Sequence, residues 1–216
     1  MRDAFQGQLD AVFVELAGIC RDVEDAVALA STALLTGDAQ VAEKVISADS
    51  AIDAARERVE DTCFTLMSLQ QPVAGDLRVV VSALRIVSEL ERMGDLSVHV
   101  AKIARRRVPE VALPEEIRPT LTQMAEVARD MVARLVEVIA TRDVEAAAAL
   151  VRDDDQMDQL RRQSFRDLFS GEWGAGVEPA VDVALLGRYY ERIADHAVSV
   201  ANRVIFVVTG QQPVDA

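Results

Sequence analysis

One helical unit is written twice in this chain, and that duplication limits its possible folds more than any other feature. Thr36, Asp38, Ala42, Ile46, Asp49 and Asp53 recur as Thr141, Asp143, Ala147, Val151, Asp154 and Asp158, at a constant spacing of 105 residues. The stretches Glu91-Arg92-Met93-Gly94-Asp95 and Glu191-Arg192-Ile193-Ala194-Asp195 recur at a spacing of 100. The second copy therefore has the shorter connection between its last two helices. Self-similarity on this scale marks a duplicated supersecondary unit.

Apolar periodicity says what the unit is made of. Leu9, Val12, Phe13, Leu16, Ile19, Val23, Val27 and Leu34 fall at helical spacing and predict one long helix from Phe5 to about Leu35. Thr36-Gly37-Asp38 ends it, with Asp38 placed to cap a second helix that stops near Pro72-Val73-Ala74-Gly75. Asp76 is placed to cap a third helix, which runs to Arg105-Arg106-Arg107, where cations complement the helix dipole. Pro109, Pro114 and Pro119 punctuate the entry to a fourth helix over about Glu115 to Ala140. Thr141-Arg142-Asp143 repeats the stop and cap, a fifth helix reaches about Ser170, and a sixth runs from near Pro179 to Gly210. The expected architecture is all-α: six long helices as two tandem three-helix bundle repeats, residues 1–108 and 109–216. Half of the residues are hydrophobic and only 4% aromatic, which suits packed helices rich in Ala, Val and Leu.

A net charge of −13 argues against nucleic acid as a partner, because phosphate binding needs a basic field. No apolar leader is evident in the first ten residues and no apolar run is long enough to span a bilayer, so a cytoplasmic protein is expected. In that compartment Cys20 and Cys63 read as two buried thiols.

Each copy contains two acid-x-x-x-acid pairs on successive helices: Asp49/Asp53 with Glu91/Asp95, and Asp154/Asp158 with Glu191/Asp195. On a helix such residues stack on one face and repel. Number alone is uninformative: eight such pairs occur where about six are expected by chance at this acid content. Position is informative. The first two pairs are centred about Pro72 and the second two about Gly174 and Ala175, in both cases inside the predicted turn. In an antiparallel helical hairpin, groups equidistant from the turn lie at one height. Four carboxylates would then meet at each of two sites, where they repel, raise one another's pKa values, or bind a hard cation such as Mg, Ca, Mn or Fe, with Zn also suited. His99, four residues past Asp95, is placed to add a nitrogen ligand, whereas His196 follows Asp195 directly and points off that face, toward a supporting position or the surface. The alternative is a solvated acidic face with Arg92, Arg188 and Arg192 as ion-pair partners.

Pro72-Val73-Ala74-Gly75-Asp76-Leu77-Arg78, Glu91-Arg92-Met93-Gly94-Asp95 and Tyr190-Glu191-Arg192-Ile193-Ala194-Asp195-His196 together resemble the PhoU family, and its actinobacterial members most. These are the phosphate-uptake regulators that accompany the high-affinity phosphate ABC transporter. The resemblance covers nearly the whole chain. It implies a duplicated three-helix fold with multinuclear metal clusters of Fe, Mn, Mg or Zn, held by Asp49, Asp53, Glu91, Asp95, Asp154, Asp158, Glu191 and Asp195. It further implies a non-enzymatic negative regulator of the phosphate-starvation response that connects the transporter to a sensor histidine kinase. A homodimer is the expected assembly, and membrane association would come through a partner. Asp76, Arg78 and Arg188 are the candidate partner-binding residues, although capping and ion pairing account for them equally well. Family members tend to carry Gly before the second Asp of both motifs; here Ala194 fills one of those slots. Two rival readings are a ferritin-like di-metal oxidase and a metal-free helical scaffold. The first lacks the Glu-x-x-His pairs that such sites use, since no Glu precedes His99 or His196 by three residues.

Overall fold

The computed structural model describes residues 2–152, 154–170 and 173–211, with side chains from residue 5 onward. Among them there are seven helices and no strand: α1 (Arg2–Thr36), α2 (Ala39–Gln70), α3 (Gly75–Arg107), α4 (Arg118–Thr141), α5 (Val144–Arg152), α6 (Asp155–Leu168) and α7 (Val177–Thr209). The fifth helix of the sequence reading is described as α5 and α6, on either side of Asp153, which lies outside the described residues; the Asp154 backbone is itself helical at φ −61 and ψ −29. Asp155 and Asp158 lie in the first turn of α6, the end at which the helix dipole favours acids. None of the described helices is long and apolar enough to cross a membrane.

The caps follow the sequence in both copies. Asp38 accepts bonds from the Gln40 and Val41 amides at 2.8 and 3.1 Å. Asp143 does the same for Glu145 and Ala146 at 2.8 and 3.0 Å. Each such cap is worth about 1 kcal/mol. Gly37 closes α1 at φ +68, but its counterpart Arg142 closes α4 in the same left-handed region at φ +55. That conformation is costly for a residue with a Cβ. Arg142 is held there by Asp10, at 2.6 Å, and by the face of Phe13, 4.8 Å from the ring centre, both on α1.

Asp76 does not cap α3. Ala74 occupies the N-cap position at φ +48 without a side-chain bond, and Asp76 lies inside the first turn, where its charge still meets the dipole.

The packing forms two layers. α2, α3, α7 and the α5–α6 pair lie side by side in front, while α1 and α4 lie behind and touch each other. Leu9, Phe13, Leu16 and Leu34 of α1 meet Ile86, Leu90 and Met93 of α3 and Leu121 and Met124 of α4 in one continuous core. Burial of each such side chain contributes about 1.5–3 kcal/mol. Cys20 and Cys63 are both free and buried within it. The Cys20 thiol donates to the Val132 carbonyl of α4 at 3.9 Å.

The two copies meet through α3 and α7, which run antiparallel. Arg78, at the start of α3, donates to the Val207 carbonyl near the end of α7 at 3.3 Å. At the other end Arg106 and Arg107 both engage Asp182, which is 1% exposed. Arg106 and Arg107 thus join the repeats, whereas Arg105 pairs with Glu43 of α2 at 2.6 Å within the first copy; only the run's position at a helix C-terminus is legible in the sequence.

Candidate metal centre

The front layer brings the acid pairs together in the register that symmetry about the turns requires. Gly94 packs so tightly on α2 that a Cβ there would lie 3.2 Å from Ile52 Cδ1 and 3.9 Å from Asp49 Oδ1. Asp49 therefore faces the Glu91–Asp95 turn of α3. In the second copy Arg161 of α6 donates to Glu191 of α7 at 3.3 Å, and Gly187 sits against Ser164 and Arg161. Ala194 replaces the close-packing glycine of the first copy and is fully buried; opposite Ile52 in the repeat stands Met157, an unbranched side chain that adapts to the extra methyl.

Electrostatics show the mutual approach. Burial, then Asp95 and Asp53, raise the Asp49 carboxyl, while Lys102 and His99 oppose the rise. Burial and Asp95 raise Glu91 against the pull of Arg56 and Arg92. In the second copy burial, then Asp195, Asp158, Asp155 and Glu191, push Asp154 from 3.8 to about 6. Burial and Glu191 likewise raise Asp195, opposed by Arg188, His196 and Arg192. Asp49, Glu91 and Asp154 thus feel acids on the facing helix of their hairpin. All eight are hard oxygen donors, so the donor set fits a Mg, Mn or Fe ion. Among the described residues, however, no three His, Cys, Asp or Glu side chains stand grouped closely enough to hold a metal ion as they are.

The two clusters differ through one substitution. Arg56 and Arg161 are equivalent positions, as are Glu60 and Phe165. In the first copy Arg56 turns to Glu60 in a two-pronged pair at 2.9 Å. In the second copy Phe165 offers no carboxylate; Arg161 stacks over its ring at 3.9 Å and reaches Glu191 instead. Arg188 adds a second bond to Glu191 at 2.6 Å. Glu191 of the second cluster is therefore bonded directly by two guanidinium groups, whereas Arg56 and Arg92 act on Glu91 of the first across space.

Both histidines have other contacts. His99 stacks on Tyr189 of α7 at 5.3 Å between ring centres, while staying within electrostatic reach of Asp49. His196 points off the carboxylate face, as its position predicted, but it is not at the surface. It is buried between α3 and α7, its Nδ1 2.5 Å from Glu89 and its Nε2 3.4 Å from Arg192. Arg78 lies against the C-terminus of α7 and the face of Phe206 at 5.8 Å, and Arg188 is engaged by Glu191.

Fold and site together define a duplicated helical protein with an acidic cluster on the same side of each of its two hairpins. The PhoU domain family matches residues 16–104 and again 121–204. The chain belongs to the PhoU family. It is 47% identical, over 99% of its length and the whole of the relative, to the phosphate-specific transport system accessory protein PhoU homolog 2 of Mycobacterium tuberculosis. It is 46% identical to PhoU homolog 1 of Mycobacterium leprae, over 100% of this chain and 97% of that one. It also superposes on the crystal structure of the phosphate transport system regulatory protein PhoU from Streptococcus pneumoniae with a TM-score of 0.87 at 28% identity, covering 98% and 100% of the two chains.

Proposed function

We propose that this chain is an accessory protein of a phosphate-specific transport system. In this reading it represses the phosphate-starvation response by linking the transporter to a sensor histidine kinase, without catalysing a reaction. The observation that carries the reading is the end-to-end match to relatives named as accessory proteins of that system. Its site of action would be cytoplasmic, at the inner face of the membrane through partners, with a homodimer as the expected assembly.

The carboxylate clusters support a metal-bearing adaptor. Asp49, Asp53, Glu91 and Asp95 would hold one set of ions, and Asp154, Asp158, Glu191 and Asp195 the other. Bound cations would supply charge neutralisation between the facing helices, and for this the carboxylates must rotate inward from their present positions. In the metal-free chain their repulsion spreads the two helices of each hairpin. Neutralised, they draw the helices together, so the front layer has two electrostatic states. Asp76, Arg78 and Arg188 remain candidates for partner contact.

Replacing Glu91 and Asp95 with Ala, in cells reporting phosphate-dependent repression, tests the link between cluster and function. Derepression in high phosphate by a folded variant is the expected result. Unchanged repression would remove the first cluster from the mechanism.

A further inference from the structure

A groove lies between the two layers in each copy, along α1 and α2 in the first and along α4, α5 and α6 in the second. The first has a volume of about 290 Å³. Val45, Ile52, Gly94 and Val98 form its floor, and Ala26 and Leu29 of α1 line its wall. Asp22 and Asp25 stand on the α1 side and Asp49 on the α2 side, and among the described residues no lysine or arginine lines it. Leu29 is 39% exposed, and Asp22 and Asp25 are exposed beside it.

The two grooves are built from equivalent positions and differ in charge. Asp22, Asp25, Ala26, Leu29 and Ala51 of the first correspond to Val127, Asp130, Met131, Arg134 and Gln156 of the second, each 105 residues on and each lining its groove. The acid at Asp25 and Asp130 is kept, and the residue one turn later changes. In the second groove Arg134 pairs with Asp130 at 3.0 Å. In the first, Leu29 stands where that cation would be, and Asp22 adds a further acid. Neither Asp22 nor Asp25 is in an ion pair among the described residues. An exposed carboxylate alone needs no partner. Two of them beside an open apolar wall, where the other copy supplies its own arginine, define a place for a cation carried on an apolar stem.

The length of the groove says what can bring that cation. On α1 the lining falls at Asp22, Asp25, Ala26 and Leu29, and on α2 at Val45, Ala48, Asp49 and Ile52. Each set spans two turns at i, i+3, i+4 and i+7, about 10 Å, which is the seat for two turns of an amphipathic helix. We propose that this groove is a docking site for a basic helix on the cytoplasmic face of the membrane transporter. An arginine or lysine of that helix stands against Asp22 and Asp25, as Arg134 stands against Asp130, and an aliphatic residue one turn away rests on Ala26 and Ile52. The cytoplasmic segments of a membrane protein are where its lysine and arginine are concentrated, so they complement these acids. The chain's net charge of −13 draws such a surface toward it. The inference rests on the transporter-accessory reading, which supplies the probe.

The test measures binding of the full chain to the phosphate transporter purified in detergent. Leu29→Arg installs the second copy's cation in the first groove, Asp25→Asn removes the acid, and Asp130→Asn is the control in the groove that already has a cation. All three positions are exposed, and thermal unfolding verifies that the variants fold. Leu29→Arg is expected to weaken binding about a hundredfold, because its guanidinium takes Asp25 and repels the incoming cation. Asp25→Asn is expected to weaken it about tenfold at low salt and less at high salt, and Asp130→Asn to leave it unchanged. A folded Leu29→Arg variant that binds as tightly as wild type overturns the docking groove and leaves the accessory reading intact. Equal losses in Asp25→Asn and Asp130→Asn do the same, because net charge alone then accounts for them. A wild type that does not bind the transporter overturns the accessory reading and this occupant together. A wild-type dimer in sedimentation that Leu29→Arg dissociates, with transporter binding unchanged, overturns the proposal in favour of a second copy of the chain.

Discussion

Asp154 gives the most direct reading of the charge that the clusters store. Its carboxyl is raised from 3.8 to about 6, by burial first and then by Asp195, Asp158, Asp155 and Glu191. A carboxyl whose pKa rises on folding binds its proton more tightly in the native state, so native stability falls as pH rises through the window between the two values. Ionised Asp154 therefore destabilises the metal-free fold above pH 6, and the penalty disappears below pH 4. At face value a rise of that size corresponds to about 3 kcal/mol at pH 7. The group is only half-buried, and the N-terminus of α6 favours its charge, so solvent screening and the helix dipole reduce the figure to about 1 kcal/mol. Asp154→Asn removes the charge at little structural cost, since Asp154 makes no side-chain capping bond. Urea unfolding in the presence of a chelator should show the variant about 1 kcal/mol more stable than wild type at pH 7.5, with the difference vanishing near pH 4. Added Mn²⁺ should reverse the order, because wild type gains stability from binding and the variant gains less. A variant less stable than wild type in chelator at pH 7.5, or a difference independent of pH, would refute the reasoning.

Other substitutions probe what holds the layers. Asp182→Ala leaves Arg106 and Arg107 without their shared buried carboxylate and should cost about 3 kcal/mol in urea unfolding, the lower end for breaking a buried pair because Arg106 is largely exposed. Tyr190→Phe removes the 3.0 Å bond to Ser31 and should cost about 1 kcal/mol, because Ser31 keeps its bond to the Val27 carbonyl. Arg161→Ala frees Glu191 from one guanidinium, and calorimetric titration with Mn²⁺ should then show tighter binding at the second cluster. In wild type the same titration should fill the first cluster before the second, because Arg56 is engaged by Glu60.

What the sequence made legible is what local chemistry controls. Asp38 and Asp143 cap the helices they precede because a short acceptor before an apolar periodic run has few other uses. The facing of Asp49 and Gly94 followed from symmetry about Pro72, since one hairpin fixes its own register. The contacts between copies were not legible. Arg107 and Asp182 are 75 residues apart, Glu89 and His196 are 107 apart, and no periodicity connects either pair. The Arg161–Glu191 bond depends on Phe165 standing where the first copy has Glu60, and that difference acquires meaning only once α6 and α7 are seen side by side.

The central claim is that opposed carboxylates on paired helices gather cations. Elemental analysis of the chain purified without chelator tests it most directly, with a variant carrying Asp49→Asn, Asp95→Asn, Asp154→Asn and Asp195→Asn as the control. Bound Fe, Mn, Mg or Zn in wild type and its loss from a folded variant is the expected result. A wild type free of metal, with no rise in melting temperature on addition of those ions, would contradict the claim.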